Sequence, residues 1–463
     1  MNIINKINSP QLNRIHSGKV RDSFRISDKE RMLVVSDRIS SFDSVLNCII
    51  PGKGAVLNSI SSWWFDRTKD IIDNHFIKMI DPNIALVKEA VPVRIEMIVR
   101  GYLTGSMWRR YHNGDRVFSG IKVEDGFYKN QKFNQPLLTP TTKEEHDREI
   151  TPEDIVKEGW ATQDIYDQMA EISMKLFRKG TKILKEKGII LVDTKYEFGL
   201  LDGKLILIDE IHTPDSSRFW SITDYQQDAL NIDQMDKEYV RQWLLNNKVD
   251  GKIPELLPPD VIAETSRRYQ DICHKITGEK LKFNDRYDIN QRISANLVSE
   301  GIIKDAYVFI IMGSPSDKEH CHKIKSILDK YNIFTQMRVV SAHKNGERIP
   351  QILYELNNSI EPGVIIAVAG RSNGLGGALA ANSALPVISC PPFKDKIDMM
   401  VNINSTLVMP SKTPGLTVID PKNAALAAIR CLNIPRLRRI SNQEITDIKL
   451  QLIDADNNMV KNI

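Results

Sequence analysis

The sequence predicts an α+β N-terminal part followed by an α/β C-terminal domain built on a doubly wound parallel sheet. Three observations carry this reading. At 463 residues the chain exceeds what one hydrophobic core usually serves. Its earlier portion mixes short alternating strands with amphipathic helices. From Tyr307 onward, continuous apolar runs alternate with helical spacing, the rhythm of a parallel sheet.

In the first part RMLVVSD (Arg31–Asp37) and VPVRIEMIVRG (Val91–Gly101) alternate apolar and polar residues, as antiparallel strands do. Helices are expected over Asp164–Lys187 and Pro259–Ile276, the second burying Val261, Ile262, Tyr269 and Ile272 on one stripe. Asn246–Pro259 is rich in turn residues and links these elements. The polar run EKLKFNDRYDINQR reads as a domain edge. The boundary itself is expected near Gly301–Ala306, giving domains 1–303 and 306–463.

VFIIMG is the unbroken apolar run of a parallel strand covered on both faces. Asp317–Lys330 then carries Ile324, Ile327 and Leu328 at helical spacing. MRVVSAH, GVIIAVAG, LPVISC and GLTVID supply further strands, and the core runs to about residue 435. The tail Ser441–Ile463 is polar and is expected to pack as a helix outside the sheet. In such sheets ligands sit beyond the carboxyl ends of the strands. The loops GSPSD, SAHK and AGRSNGLGG fall there.

Hydrophobic content of 41% and a net charge of +4 describe an ordinary soluble chain and give no support for a nucleic-acid reader. The N-terminus lacks a signal-peptide core, and no apolar run is long enough for a membrane span. Cys48, Cys273, Cys321, Cys390 and Cys431 form no CxxC pair, which speaks against zinc or disulfides and fits a reducing cytoplasm.

Three N-terminal clusters carry chemistry. HSGKVRDSF (His16–Phe24) sets Gly18, Lys19 and Arg21 in a turn suited to a polyphosphate, or equally to a solvated hairpin. DTKYEFG alternates Asp193, Lys195 and Glu197, and the hairpin LLDGK returns the chain to Asp209. Glu197 and Asp209 could hold Mg²⁺ through oxygen, with Lys195 neutralising a phosphoryl group in the manner of kinase sites. Cross-strand charge pairing is the alternative. In MIVRGYLTGSMWRRY and HTPDSSRFW, Arg100, Ser106 and Arg218 suit an anionic substrate, or else cap carboxylates structurally.

Taken together, GKVRD, SDRISSFD (Ser36–Asp43), IVRGYLTGS, DTKYEFG and DEIHTPDSSRFW closely resemble the SAICAR synthetase family (phosphoribosylaminoimidazole-succinocarboxamide synthase) through roughly the first 300 residues. The resemblance implies an α+β fold with a kinase- or ATP-grasp-like ATP site. It implies ligation of CAIR (carboxyaminoimidazole ribonucleotide) to L-aspartate with MgATP. Lys19 and Glu96 would contact ATP beside Gly18 and Arg21, and Glu197 and Asp209 would hold the metal. Arg100, Ser106 and Arg218 would bind CAIR, with Asp37 and Asp43 lining the same pocket. A carboxylate is a poor acyl donor, so phosphorylation converts it to an acyl phosphate that an amine can attack.

In the C-terminal part GSPSD begins a helix, with Ser316 or Asp317 as N-cap and free N–H groups suited to phosphate, or it is a plain capping turn. SAHK places Ser341, His343 and Lys344 after the second strand, where a single histidine can also be structural. AGRSNGLGG (Ala369–Gly377) surrounds Arg371, Ser372 and Asn373 with glycines, and its spacing misses GxGxxG. These loops, in this order, resemble AIR carboxylase (phosphoribosylaminoimidazole carboxylase) over roughly residues 306–435, implying a flavodoxin-like sheet and assembly into octamers.

The mutase form of that family carries a histidine in its glycine loop. Here that loop has none, and SAHK stands for SAHR, both of which resemble the CO2-using class. That class implies that AIR (aminoimidazole ribonucleotide) attacks CO2 without ATP, biotin or metal. His343 and Lys344 are then the acid–base candidates, while Ser372, Asn373 and amides near Gly374 stabilise the new carboxylate. Gly313, Ser314, Ser316 and Asp317 would hold the ribose phosphate, with Ser341 and Arg371 beside them. The second site's product is the first site's substrate. The expectation is therefore a cytoplasmic bifunctional enzyme of purine synthesis that binds neither nucleic acid nor membrane. The alternatives are a C-terminal mutase acting on the N-carboxylated substrate, and a catalytically silent oligomerisation module.

Overall fold

The alternating N-terminal segments pair chiefly as two five-stranded antiparallel sheets, beside two small two-stranded ones, in a computed structural model that describes residues 3–42, 44–144, 147–281 and 288–460. The first sheet contains β1 (Asn13–Ser17), β2 (Arg21–Arg25), β3 (Glu30–Val35), β4 (Phe76–Asp81) and β5 (Ile84–Lys88), in the order β1-β2-β3-β5-β4. The second contains β6 (Val91–Tyr102), β7 (Lys132–Thr142), β8 (Ile189–Leu201) and β9 (Lys204–Ile208), in the order β7-β6-β8-β9. There β10 (Ser217–Ser221) also pairs with β8. The expected strands at 31–37 and 91–101 are β3 and β6.

Five helices position the sites of this part: α1 (Lys53–Arg67), α2 (Gly105–His112), α3 (Gln163–Glu186), α4 (Glu238–Asn246) and α5 (Pro259–Thr277). The Thr162 hydroxyl accepts the Ile165 N–H and starts α3, as a threonine N-cap does. Tyr196 and Phe198 of β8 are buried with Met97 and Val99 of β6, Trp64 of α1 and Tyr269 of α5. Because side chains alternate across a strand, Asp193, Lys195 and Glu197 must face away from that core. Burial of the intervening residues is what aims the charged ones.

In the second unit α6 (Ile289–Ser299) precedes a five-stranded parallel sheet of β11 (Tyr307–Met312), β12 (Phe334–Val339), β13 (Gly363–Val368), β14 (Val387–Ser389) and β15 (Leu416–Thr417). Its order, β12-β11-β13-β14-β15, places β11 between β12 and β13. Alternate residues of β11 enter different cores. Val308, Ile310 and Met312 pack with α7 (Lys318–Lys330) and, further along the chain, Pro421–Leu432, whereas Tyr307, Phe309 and Ile311 pack with residues of Ile349–Asn357 and Gly374–Asn382. Covering both faces explains the unbroken apolar run.

The chain divides into one compact unit of Met1–Lys6 with Asn13–Ile289 and another of Ile7–Leu12 with Asn290–Ile463. The division therefore precedes the expected 303/306 boundary: from Asn290 on, α6 belongs to the second unit, with Ile293 and Leu297 buried. The composition break at Gly301 is a turn inside that unit. Ile7–Leu12 joins it through Gln11, whose Nε2 donates to the Lys304 carbonyl at 2.9 Å. Its Oε1 accepts the Lys304 N–H at 2.8 Å.

Two further expectations are corrected. Asp317 is the N-cap residue of α7, as expected, but its side chain makes no cap hydrogen bond; in the short turn before it the Ser314 hydroxyl accepts the Ser316 N–H at 3.3 Å. The Ser316 hydroxyl instead donates to Ser314 at 2.8 Å. The C-terminal helix starts earlier than expected and spans Pro435–Val460, with Leu437 buried and most later residues exposed. Only its opening turns pack on the unit, up to Glu444, which accepts from the Tyr331 hydroxyl.

Candidate active sites

A cleft of about 920 Å³ opens in the first unit. Val20, Leu33, Val87, Ala90, Pro92 and Ile208 give it apolar walls suited to a flat base. Gly18, Lys19, Arg21, Glu96, Lys195, Glu197 and Asp209 line it too, so all the residues expected at ATP and metal meet in one cavity.

The register explains how. Lys195 pairs with Ile98 across β8 and β6, and Glu197 pairs with Glu96. Lys195 Nζ lies 2.7 Å from Glu96 Oε1 and 2.6 Å from Glu197 Oε1. The β8–β9 hairpin sets Glu197 opposite Ile208, one residue before Asp209, whose positive φ of 65° turns the chain at the strand end. Arg21 bonds Asp209 and reaches Glu210 at 2.6 Å, so its charge is spent on carboxylates within this arrangement.

Burial and the nearby Asp209 charge raise the Glu197 carboxyl. Burial would raise Asp209 as well, but Arg21, Lys195 and Lys143 outweigh it and hold that carboxyl well below the ordinary range. Lys195 stays charged: burial opposes its ammonium, and Glu197, Glu96 and Asp209 overcome that. Among the described residues no group of three or more His, Cys, Asp or Glu is set to hold a metal ion. Two neighbouring ionisable carboxylates do match the one or two that Mg²⁺ takes when nucleotide phosphates and water complete its shell.

Of the residues expected at the ribonucleotide, Arg100 lies further along β6, Arg218 on β10 and Ser106 on α2. Asp193 pairs with Arg100, on the strand face that carries Lys195 and Glu197. Arg100 Nε donates to the Thr139 hydroxyl at 2.8 Å, and its Nη1 stands 3.9 Å from Asp193. Arg218 Nη1 donates to Asp193 at 2.6 Å, and its Nη2 reaches Glu238 at 3.1 Å. Gly105, at φ +60°, lets the guanidinium pass the start of α2: a Cβ there would fall 2.5 Å from Arg218 Nη2. Ser106 is exposed on the first turn of that helix.

Asp37 is a correction. Its carboxylate accepts the N–H groups of Ile4 at 2.9 Å and Gly54 at 2.8 Å, is 1% exposed and does not line the cleft. Both carboxylate oxygens are taken by backbone N–H groups, so Asp37 fastens the backbone instead of presenting a free carboxylate to a ligand. Asp37→Asn is expected to lower the unfolding free energy of this unit by about 1–3 kcal/mol, because one backbone donor loses its acceptor. Denaturant titration reads this; an unchanged midpoint with a raised ribonucleotide KM would return Asp37 to the pocket. Asp43 lies outside the described residues.

In the second unit the loops after β11, β12 and β13 converge. The Gly313 N–H donates to the Val368 carbonyl at 2.9 Å, and the Val340 N–H to the Met312 carbonyl at 2.9 Å. His343 lies against the glycine loop: a Cβ on Gly374 would sit 2.7 Å from its Cε1 and 3.0 Å from its Nε2. Asn373 is held by the Ser389 hydroxyl, which donates to Oδ1 at 3.1 Å. The Ser372 hydroxyl accepts the Gly374 N–H at 3.3 Å. The Ser341 N–H is bound by Asn345 at 2.7 Å. Lys344 and Arg371 are exposed.

A family model described as SAICAR synthetase matches residues 14–256, more than half of the chain. The chain belongs to the SAICAR synthetase family. It is 43% identical over 304 residues to phosphoribosylaminoimidazole-succinocarboxamide synthase of Bacteroides thetaiotaomicron, covering 63% of this chain and 96% of that protein. The Legionella pneumophila (strain Paris) synthase is 42% identical over 295 residues, covering 61% and 94%. Among solved structures, the Saccharomyces cerevisiae SAICAR synthase complexed with SAICAR matches with a TM-score of 0.54 at 32% identity, covering 60% of this chain and all of that one. A second model, AIR carboxylase, matches residues 307–449. The chain is thus a SAICAR synthetase fused to an AIR carboxylase domain, a bifunctional enzyme of purine biosynthesis. Among the described residues no helix is long and apolar enough to cross a membrane.

The SAICAR synthetase cleft also holds residues that sequence reasoning missed. Lys143, just beyond β7, bonds the second oxygen of Glu197. Its PTTKEEHD context is charged, and that was the one local signal. Asp215 gathers Lys53 at 2.8 Å, Lys237 at 3.5 Å and the Tyr269 hydroxyl at 2.7 Å. Burial pushes the Lys237 amine down to about 8 against the pull of Asp215. His75 also lines the cleft, and burial pushes it down to about 4, so its imidazole is neutral at pH 7. These residues come from segments far apart in sequence and share no spacing.

Proposed function

We propose that the second unit carboxylates AIR with CO2, and that the first ligates the resulting CAIR to L-aspartate with MgATP, yielding SAICAR, ADP and phosphate. The observation that carries the ligase half is the line of charged groups along β6 and β8. From Glu96 and Glu197 to Arg100 and Asp193 is four residues on each strand, about 13 Å at roughly 3.3 Å per residue. Such a span suits a phosphoribosyl imidazole, with its carboxylate toward Lys195 and its phosphate toward Arg100, Ser106 and Arg218.

In this reading Lys19 and Glu96 contact ATP on the turn that carries Gly18 and Arg21, and Glu197 and Asp209 would hold Mg²⁺. Bound there, the ion neutralises phosphate charge. Lys195 faces the γ-phosphoryl group as it passes to the CAIR carboxylate oxygen. The aspartate amine then attacks that acyl carbon, phosphate leaves, and the amine gives up its proton.

For the carboxylase half, the AIR ring carbon attacks CO2 and the same carbon releases its proton. His343, seated over Gly374, and Lys344 are the groups that take it. Ser372, Asn373 and the Gly374 amide steady the new carboxylate, while Gly313, Ser314, Ser316, Asp317, Ser341 and Arg371 hold the rest of the ribonucleotide. The glycine loop carries no histidine of its own, which favours direct use of CO2 over transfer from an N-carboxylated substrate. We place the enzyme in the cytoplasm as a homo-oligomer, an octamer built through the carboxylase domain.

AIR mixed with bicarbonate, without ATP, is expected to give CAIR. Formation of CAIR only from N-carboxylated AIR would make this unit a mutase, and formation from neither would make it a scaffold.

A further inference from the structure

Arg218 stands on β10, and its guanidinium is held from two directions. Asp193 of β8 takes Nη1, and Glu238 of α4 takes Nε at 3.2 Å and Nη2 at 3.1 Å. Two N–H directions of the fork remain for a ligand. Where they point depends on how α4 is seated against β10. One side chain makes that joint: Asp236 is 1% exposed, and each of its oxygens accepts one backbone N–H. Oδ2 takes Phe219, next to Arg218, and Oδ1 takes Glu238, the first residue of α4, both at 2.7 Å. Lys237, between Asp236 and Glu238, lines the cleft.

We propose that Asp236 is a positioning residue of the ligase. By tying the backbone of Phe219 to that of Glu238, it aims the Arg218 guanidinium and sets the grip on the substrate phosphate. The inference rests on the reading that Arg218 holds that phosphate. Asp236 itself touches no substrate. An asparagine of the same shape offers one acceptor oxygen in place of two, so an amide N–H must confront a backbone N–H. The start of α4 then shifts, and Glu238 no longer squares the arginine fork.

The test is D236N in the full chain, assayed with CAIR and with the CAIR nucleoside that lacks the 5′-phosphate. The expected result is a CAIR KM raised about tenfold with kcat within about twofold and the KM for ATP unchanged. The nucleoside, having no phosphate to grip, should be used equally by D236N and the parent. An unchanged CAIR KM, a fall confined to kcat, or an equal loss on the nucleoside would overturn the proposal.

R218M, run in parallel, separates the two layers. If R218M raises the CAIR KM and D236N does not, Asp236 has no positioning role while the phosphate reading stands. If R218M leaves that KM unchanged, the phosphate reading itself fails. Should D236N no longer bind ATP, E238Q loosens the same fork from the helix side. An unchanged CAIR KM in E238Q shows that the start of α4 does not set the fork and overturns the proposal, whereas a raised KM that D236N fails to match overturns the role of Asp236.

Discussion

Replacing Lys195 by Met is expected to cut ligase kcat about a thousandfold while the same chain keeps carboxylating AIR. The ammonium lies within 2.7 Å of Glu96 and 2.6 Å of Glu197, both mostly buried. Methionine keeps the bulk of the side chain and removes the charge. Glu197 retains Lys143, but Glu96 loses the cation and the transferred phosphoryl group faces uncompensated carboxylates. Removing one member of a buried ion pair costs about 3–5 kcal/mol, so the first unit should also unfold at lower denaturant. Carboxylase activity is the internal control, since it reads the second unit of the same molecule. K195M retaining more than a tenth of parental ligase turnover would remove Lys195 from the phosphoryl step.

Gly374→Ala is expected to lower carboxylation by about a hundredfold or more, within the range that acid–base groups contribute. The added methyl would lie 2.7 Å from His343 Cε1, and neither carbon can yield without the imidazole turning away. Because His343 is exposed, it can swing outward, so the fold should survive and the unfolding midpoint should barely move. H343A should lose a similar factor, and the double variant should lose no more than either single one. Full additivity of the two losses would show that Gly374 acts by some route other than His343. Ligase turnover should be unaffected in all three.

Much of this arrangement was legible in the sequence, and particular residues show why. Glu197 and Asp209 were placed together because strand alternation and the short LLDGK hairpin are local rules, and the register carries them out. The unbroken VFIIMG run disclosed a strand covered on both faces for the same reason. Asp37 misled because an acidic residue in a polar motif looks like a ligand. Only the fold shows that the Ile4 and Gly54 amides consume it. Asp317 takes the expected N-cap position of α7, but the capping hydrogen bond comes from Ser314 in the one-turn segment before it, because backbone angles at a helix start decide which side chain can reach an N–H.

From its sequence alone this protein was determined to be two reaction units in series, with motifs of recognisable chemistry in particular loops and alternation that set Asp193, Lys195 and Glu197 on one strand face. Those properties follow from periods of a few residues and from short motifs. The folded chain decided which charges meet: Lys143 on Glu197, Lys53 and Lys237 on Asp215, Asp236 between Phe219 and Glu238. It also decided that a division read near Gly301–Ala306 falls at the first residue of α6. The reason is that electrostatic partnership and burial depend on distance in space, and residues close in space here are often far apart along the chain.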